Sequence, residues 1–131
     1  MDAGQTRGPP VDAAETLYRF VPVASFWVAV ENRPSSSLFD DPPRVSVNVA
    51  SLTTLEQCRQ QLVDELQKPE GGMVAFLCGL ARDLGFDARH EPERGNPAHA
   101  HLYCDAIPPK QRKKNAQRLA RSCQVAIQPG F

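Results

Sequence analysis

Twelve prolines in 131 residues limit the folds open to this chain more than any other feature. Proline lacks a backbone N–H and fixes φ, so it ends helices and is kept to the edges of sheets. The pairs Pro9-Pro10, Pro42-Pro43 and Pro108-Pro109, with single prolines between them, divide the sequence into short elements joined by prominent loops. The length suits one domain with its own core.

Within those divisions the periodicity is legible. Residues 1 to 16 read as a flexible leader, because Gly8-Pro9-Pro10 supports neither helix nor ladder and no apolar period precedes Leu17. Residues 17 to 131 form a single domain. Leu17 to Val30 is apolar and aromatic, which favours extended structure, and Pro22 relegates its first part to an edge strand or a bulge. Between loops at 32–37 and 40–43, Leu38-Phe39 plugs a core edge. Arg44 to Val49 alternates three valines with Arg, Ser and Asn, which predicts a strand with one core face and one wet face.

Thr53 and Glu56 have capping-box spacing, and Leu55, Cys58, Leu62 and Leu66 form the stripe of a helix that Pro69 and Gly71-Gly72 stop. Met73 to Leu84 fits either a helical stripe or a buried strand followed by helix, with Gly85 at the C′ position. Phe86 to His90 reads as a short strand and residues 91–97 as a loop. In the next strand, Ala98 to Cys104, the small residues alternate with His99, His101 and Tyr103. Pro108-Pro109 opens a helix carrying Ala116, Leu119, Ala120 and Cys123, and Val125 to Ile127 adds a last strand. The sum is an α+β domain, a small, mostly antiparallel sheet with two or three helices on one face.

No segment approaches the length of apolar sequence needed to span a membrane, and the polar N-terminus lacks the order of a secretory signal. The expected location is cytoplasmic. The four cysteines, without a CxxC pair, read as reduced core thiols. P-loop and GxGxxG motifs are absent, so no nucleotide cofactor is implied.

Two regions carry chemistry. All three histidines lie between residues 90 and 101, and His99 and His101 share a strand face. They are half of a metal site or an acid/base pair; a third ligand could come from His90, Glu91, Glu93 or Asp105. The expectation is no metal, since an H-x-H on an exposed sheet face is more often a polar strand surface or a hydrogen-bonded pair. Asn96-Pro97 reads as a turn in which the Asn side chain bonds the backbone. The second region is electrostatic. Residues 1–109 carry a balance of −6, whereas residues 110–131 hold six bases and no acid. Lys110, Arg112, Lys113 and Lys114 fall in or near the first helical turns, where the macrodipole disfavours cations by about 0.3 to 1 kcal/mol each. With Arg118 and Arg121 they suggest an anionic partner, an acidic protein before nucleic acid because stacking aromatics are missing.

The Ser35-Ser36-Ser37-Leu38-Phe39 run followed by Val45-Ser46-Val47, and the Gly79 to Gly85 segment followed by Pro92 and Asn96-Pro97-Ala98-His99-Ala100, resemble a group of small bacterial proteins without an assigned activity. The resemblance spans most of residues 17 to 125 and implies that Ser36, Phe39, Ser46, Asn96, Pro97 and His99 act together. Leu17-Tyr18-Arg19 with the serines also resembles RES-type NAD-degrading toxins, whose chemistry uses Arg, Glu and Ser; their Gly-Gly-Arg-Phe signature is absent here.

Two functions follow as expectations. The first is an accessory or interaction domain of a multi-protein bacterial assembly, binding an acidic partner through the basic C-terminal helix. The alternative is a small hydrolase acting on a phosphodiester or nucleotide, using His99 with Arg19, Glu91 or His101, and with Ser36 as a further candidate.

Overall fold

The computed structural model describes residues 6–131, and its framework is a six-stranded sheet with three helices, the α+β class predicted above. The strands are β1 (Thr16–Val21), β2 (Trp27–Val28), β3 (Arg33–Pro34), β4 (Arg44–Val49), β5 (Gly72–Leu77), β6 (Asp87–His90), β7 (His99–Tyr103) and β8 (Gln124–Ile127). The helices are α1 (Leu55–Gln60), α2 (Cys78–Asp83) and α3 (Pro109–Ser122). The main sheet runs β6-β7-β4-β1-β5-β8 with each neighbouring pair antiparallel, while β2 and β3 form a separate ribbon.

Strand alternation sorts the side chains into two cores. Leu17, Val45, Val47, Val49, Val74, Phe76, Ala100 and Leu102 face one side, where Ala81 of α2 and Ala116, Leu119 and Ala120 of α3 close over them. Met73 and Ile127, with Tyr18 and Phe20, face the other side under Cys58 and Leu62. Two helices therefore share a face, and α1 covers part of the opposite one. Each enclosed Leu, Val or Phe contributes about 1.5 to 3 kcal/mol. Leu38 and Phe39 do plug the core from a loop: both are fully buried, and Phe39 meets Phe76 edge-on with centroids 5.3 Å apart.

Several local expectations need correction. β1 is a central strand, flanked by β4 and β5, because Pro22 falls just after its last pair, Val21 with Gly72, and ends the strand instead of weakening it. The capping box is one residue later than expected. Thr54 accepts from the Gln57 N–H while the Gln57 side chain accepts from the Thr54 N–H. Only Cys58 and Leu62 of the apolar stripe are buried: Leu55 is exposed at the first position of α1, and beyond it the π-helical turn Gln61–Glu65 shifts the helical register before Leu66, which is also exposed, with Gln67 in the left-handed region (φ 54°) closing it. The ambiguous segment resolves as β5 followed by α2, with Gly85 at φ 92° as its C′ residue.

Residues 1–5 of the expected leader lie outside the described residues. Residues 6–15 are not free: Val11 is buried and its N–H donates to the Ala88 carbonyl, and the His90 N–H donates to the Pro9 carbonyl. The reason is β6, an edge strand whose unpaired backbone groups this segment covers. Among the described residues, no helix is long and apolar enough to cross a membrane. The four cysteines are free thiols; Cys58, Cys78 and Cys104 are buried, and burial pushes Cys123 up to about 12. None has the exposed, acidified setting of a nucleophile.

Candidate functional site

The face of β7 and β4 turned away from the main core collects the polar residues, and His99, Asn48 and Tyr103 are buried there. Antiparallel register sets His99 beside Asn48, His101 beside Ser46 and Tyr103 beside Arg44. Because the side-chain period of a strand is two, all six project from the same face. The His99 and His101 rings meet edge-to-face, centroids 4.6 Å apart at 85°.

Glu91, at the end of β6, organises this row. Its carbonyl oxygen accepts from His99 Nδ1 at 2.9 Å. Its Oε1 accepts from His101 Nδ1 at 2.8 Å and from the Tyr103 hydroxyl at 2.7 Å, and its Oε2 accepts from the Gly8 N–H at 2.9 Å. Burial alone would raise the Glu91 carboxyl, but the Gly8, Tyr103 and His101 bonds outweigh it and hold the group below its ordinary value. Burial, then Glu91 itself, pushes the Tyr103 hydroxyl up, so it stays a donor. Arg7 lies over the Tyr103 ring at 3.7 Å and donates to Asp105 at 2.6 Å.

Glu93 arrives from the following turn. The Glu93 and Asn96 backbones exchange hydrogen bonds of 3.1 and 2.9 Å, and Gly95 between them takes φ 81°, a conformation glycine adopts without Cβ strain. This turn brings Glu93 Oε1 to 3.6 Å from His99 Nε2. One carboxylate oxygen of Glu93 and one nitrogen each of His99 and His101 lie within 4.8 Å of one another.

Two hollows flank the row, and Glu93 lines both. One, of about 340 Å³, runs past Arg19, Asn48, Gln61, Asn96 and His99; the other, of about 760 Å³, runs past Arg7, Arg44, Glu91, His101 and Tyr103. The π-helical turn forms a wall of the first, a distortion common at functional sites.

Arg19 is thus brought to His99's groove. Its Nε donates to the Leu38 carbonyl and its Nη1 to the Ser46 carbonyl, both at 3.2 Å. Burial pulls it down to about 10, against a raising contribution from Asp41, and it remains cationic at neutral pH. Glu91 and His101 are also at the row. Ser36 is not: it begins the 3-10 turn Ser36–Leu38, and its carbonyl accepts from the Phe39 and Asp40 N–H groups. It lines neither hollow. His90 bonds the Pro97 carbonyl through Nε2 at 2.8 Å. The Asn96 side chain does not close its own turn; it donates to Asn48 Oδ1 at 2.9 Å, and Asn48 donates to Gln61 Oε1 at 3.2 Å. Sequence reasoning missed Asn48, Gln61 and Gly8 as site residues. A signal for Asn48 was present in its place on the polar face of β4, whereas Gly8 reaches Glu91 only through a tertiary contact.

On α3, Lys110, Lys113, Lys114, Arg118 and Arg121 are exposed and form no ion pair among the described residues. Arg112 is engaged internally, donating to Asp40 Oδ1 at 2.8 Å. The helix has no side-chain cap and no acid in its first turn.

Compared with known proteins, the chain matches no family model, no curated protein and no solved structure.

Proposed function

We propose that the histidine row is a catalytic site and that the protein is a small hydrolase acting on a phosphodiester or nucleotide. The observation that carries this reading is the sharing of one groove by Arg19 and His99, with His101 alongside. Phosphate-ester hydrolysis calls for fixed positive charge at the phosphoryl oxygens and for groups that activate a water. Arg19 offers the charge from a half-buried, hydrogen-bonded position. The histidines offer water activation, with both rings oriented by Glu91. Asn48, Gln61 and Asn96 add amide donors and acceptors along the wall.

The test is turnover of bis(p-nitrophenyl) phosphate and of a nucleotide panel, with and without added divalent metal. Measurable hydrolysis is expected, falling about 10² to 10⁴-fold in His101→Ala, the range general acid–base residues contribute. No turnover above the blank on any substrate would sink this reading.

A second reading rests on α3, whose five unpaired exposed cations suit an acidic protein surface. Such a surface would place the domain in a larger assembly. The triple variant Lys113→Glu, Lys114→Glu, Arg118→Glu leaves the buried Ala116, Leu119 and Ala120 untouched. Its stability should stay within about 0.5 kcal/mol of wild type, the usual range for surface changes. Retention of an acidic partner in pull-downs from the native host should be lost. If the partner is nucleic acid, each phosphate contact removed should lower the salt slope by about 0.7 to 0.9. A folded variant that keeps every partner would reduce α3 to a solvated face.

A further inference from the structure

We infer that Glu93, His99 and His101 form a binding site for a divalent transition-metal ion of the zinc class. The tautomers point that way first. The Glu91 carbonyl can only accept, so His99 donates to it from Nδ1, and the ring in its neutral form keeps a lone pair on Nε2. The Glu91 carboxylate imposes the same arrangement on His101. Metal-ligating histidines are oriented in just this manner, with the far nitrogen donating to a carbonyl or a carboxylate. Here that outer layer is itself anchored, since Tyr103 and the Gly8 N–H fix the two oxygens of Glu91.

The third donor is Glu93. His99 Nε2 makes no hydrogen bond among the described residues and faces Glu93 Oε1 at 3.6 Å. Metal–nitrogen and metal–oxygen bonds of about 2.0 to 2.2 Å set neighbouring donors roughly 3.3 Å apart, so donor atoms already within 4.8 Å need to close by about 1.5 Å at most. The Glu93 side chain is 61 % exposed and free to make it. Two imidazoles disfavour calcium and magnesium, which take oxygen donors, and favour zinc and its neighbours. Three protein donors leave a coordination position toward the groove for a water, the pattern of catalytic rather than structural sites. Of the third ligands the sequence offers, Glu93 is the one the Gly95 turn carries to His99 Nε2.

The consequence for water activation rests on the hydrolytic reading; metal binding itself is measured without substrate. Tag-free protein stripped with a chelator is titrated with Zn²⁺ by calorimetry and with Co²⁺ by visible absorption. One equivalent is expected, with Co²⁺ bands of a low-coordinate N/O site. Glu91→Gln should weaken affinity about 10- to 100-fold as a positioning residue. Glu93→Gln and His101→Ala, at an exposed and a half-buried side chain, should weaken it at least as much, and His90→Ala should leave it unchanged. Thermal unfolding of each variant without metal establishes that the loss is not misfolding. The inference is overturned by absence of stoichiometric uptake, by uptake that Glu93→Gln and His101→Ala leave intact, or by equal loss in His90→Ala. Metal-independent turnover without uptake would remove this inference and keep the hydrolase; uptake without turnover would do the reverse.

Discussion

Phe39→Ala is expected to destabilise the fold by about 3 to 5 kcal/mol, the range for deleting a buried aromatic ring. Phe39 has no exposed surface, and its ring abuts Phe76 of β5 edge-on at 5.3 Å. It closes a 3-10 turn on a loop and enters the core formed by the β-sheet and α3. The turn around it is fixed twice, by the Phe39 N–H on the Ser36 carbonyl and by Arg19 on the Leu38 carbonyl, so collapse around the cavity is limited. Typical domains have only about 5 to 15 kcal/mol in total, so the loss should be visible as a large fall in the urea midpoint at unchanged slope. Phe131→Ala, at a residue 46 % exposed, is the control and should change stability by less than about 0.5 kcal/mol. A midpoint for Phe39→Ala within that same margin would mean the loop is not part of the cooperative unit.

That Leu38 and Phe39 read as a core plug from the sequence, while β1 read as an edge, separates the signals a sequence carries locally from those that depend on tertiary pairing. Two apolar residues isolated between proline- and serine-rich loops have nowhere to go but inward. The alternation of β4 and β7 was equally clear, because a strand with one apolar face carries its orientation in every second residue. Pro22 misled because a proline's effect depends on whether it falls inside or just beyond the last ladder pair, a matter of one residue. The helix cap slipped by one position for a similar reason: Thr53 and Thr54 are both competent, and Gln57 serves as well as Glu56. The docking of residues 6–15 was invisible, since covering an edge strand takes backbone groups and leaves no side-chain pattern.

The site divides in the same way. The shared face of His99 and His101 follows from strand period alone. Register across to β4, which sets Asn48 and Ser46 beside them, follows only once β4 and β7 are known to be neighbours. Glu91 and Glu93 could be named as candidates by proximity in sequence, but their different roles come from the turn. Glu91 follows the last residue of β6 with both oxygens occupied, and Glu93 sits two residues further with an oxygen turned toward His99. Ser36 was a candidate because it lay in a run of hydroxyls, a signal that loop and cap serines share with catalytic ones.

Arg19→Met is expected to lower hydrolysis of a phosphate ester about 10² to 10³-fold, the cost of removing a fixed donor from the developing negative charge. The guanidinium is half-buried where β1 and β4 part, held by the Leu38 and Ser46 carbonyls, and burial has not lowered it enough to lose its charge at neutral pH. Methionine matches its length and removes both charge and donors. Water can replace Arg19 at the exposed Ser46 carbonyl, so only the part-buried Leu38 carbonyl is stranded, at about 1 to 3 kcal/mol, and relief of the cation's own desolvation offsets part of that. Stability should therefore fall by no more than about 1 to 2 kcal/mol while the rate collapses. Arg19→Lys separates the two roles of the residue. Lysine keeps the charge but, as a point donor, cannot span both carbonyls, so it should recover more of the rate than of the stability. Rates are compared at substrate saturation and at low substrate, with urea midpoints measured on the same preparations. If Arg19→Met loses stability yet hydrolyses at the wild-type rate, Arg19 is a clamp between β1, β4 and the Phe39 turn, and the groove loses the positive charge on which a phosphate substrate depends.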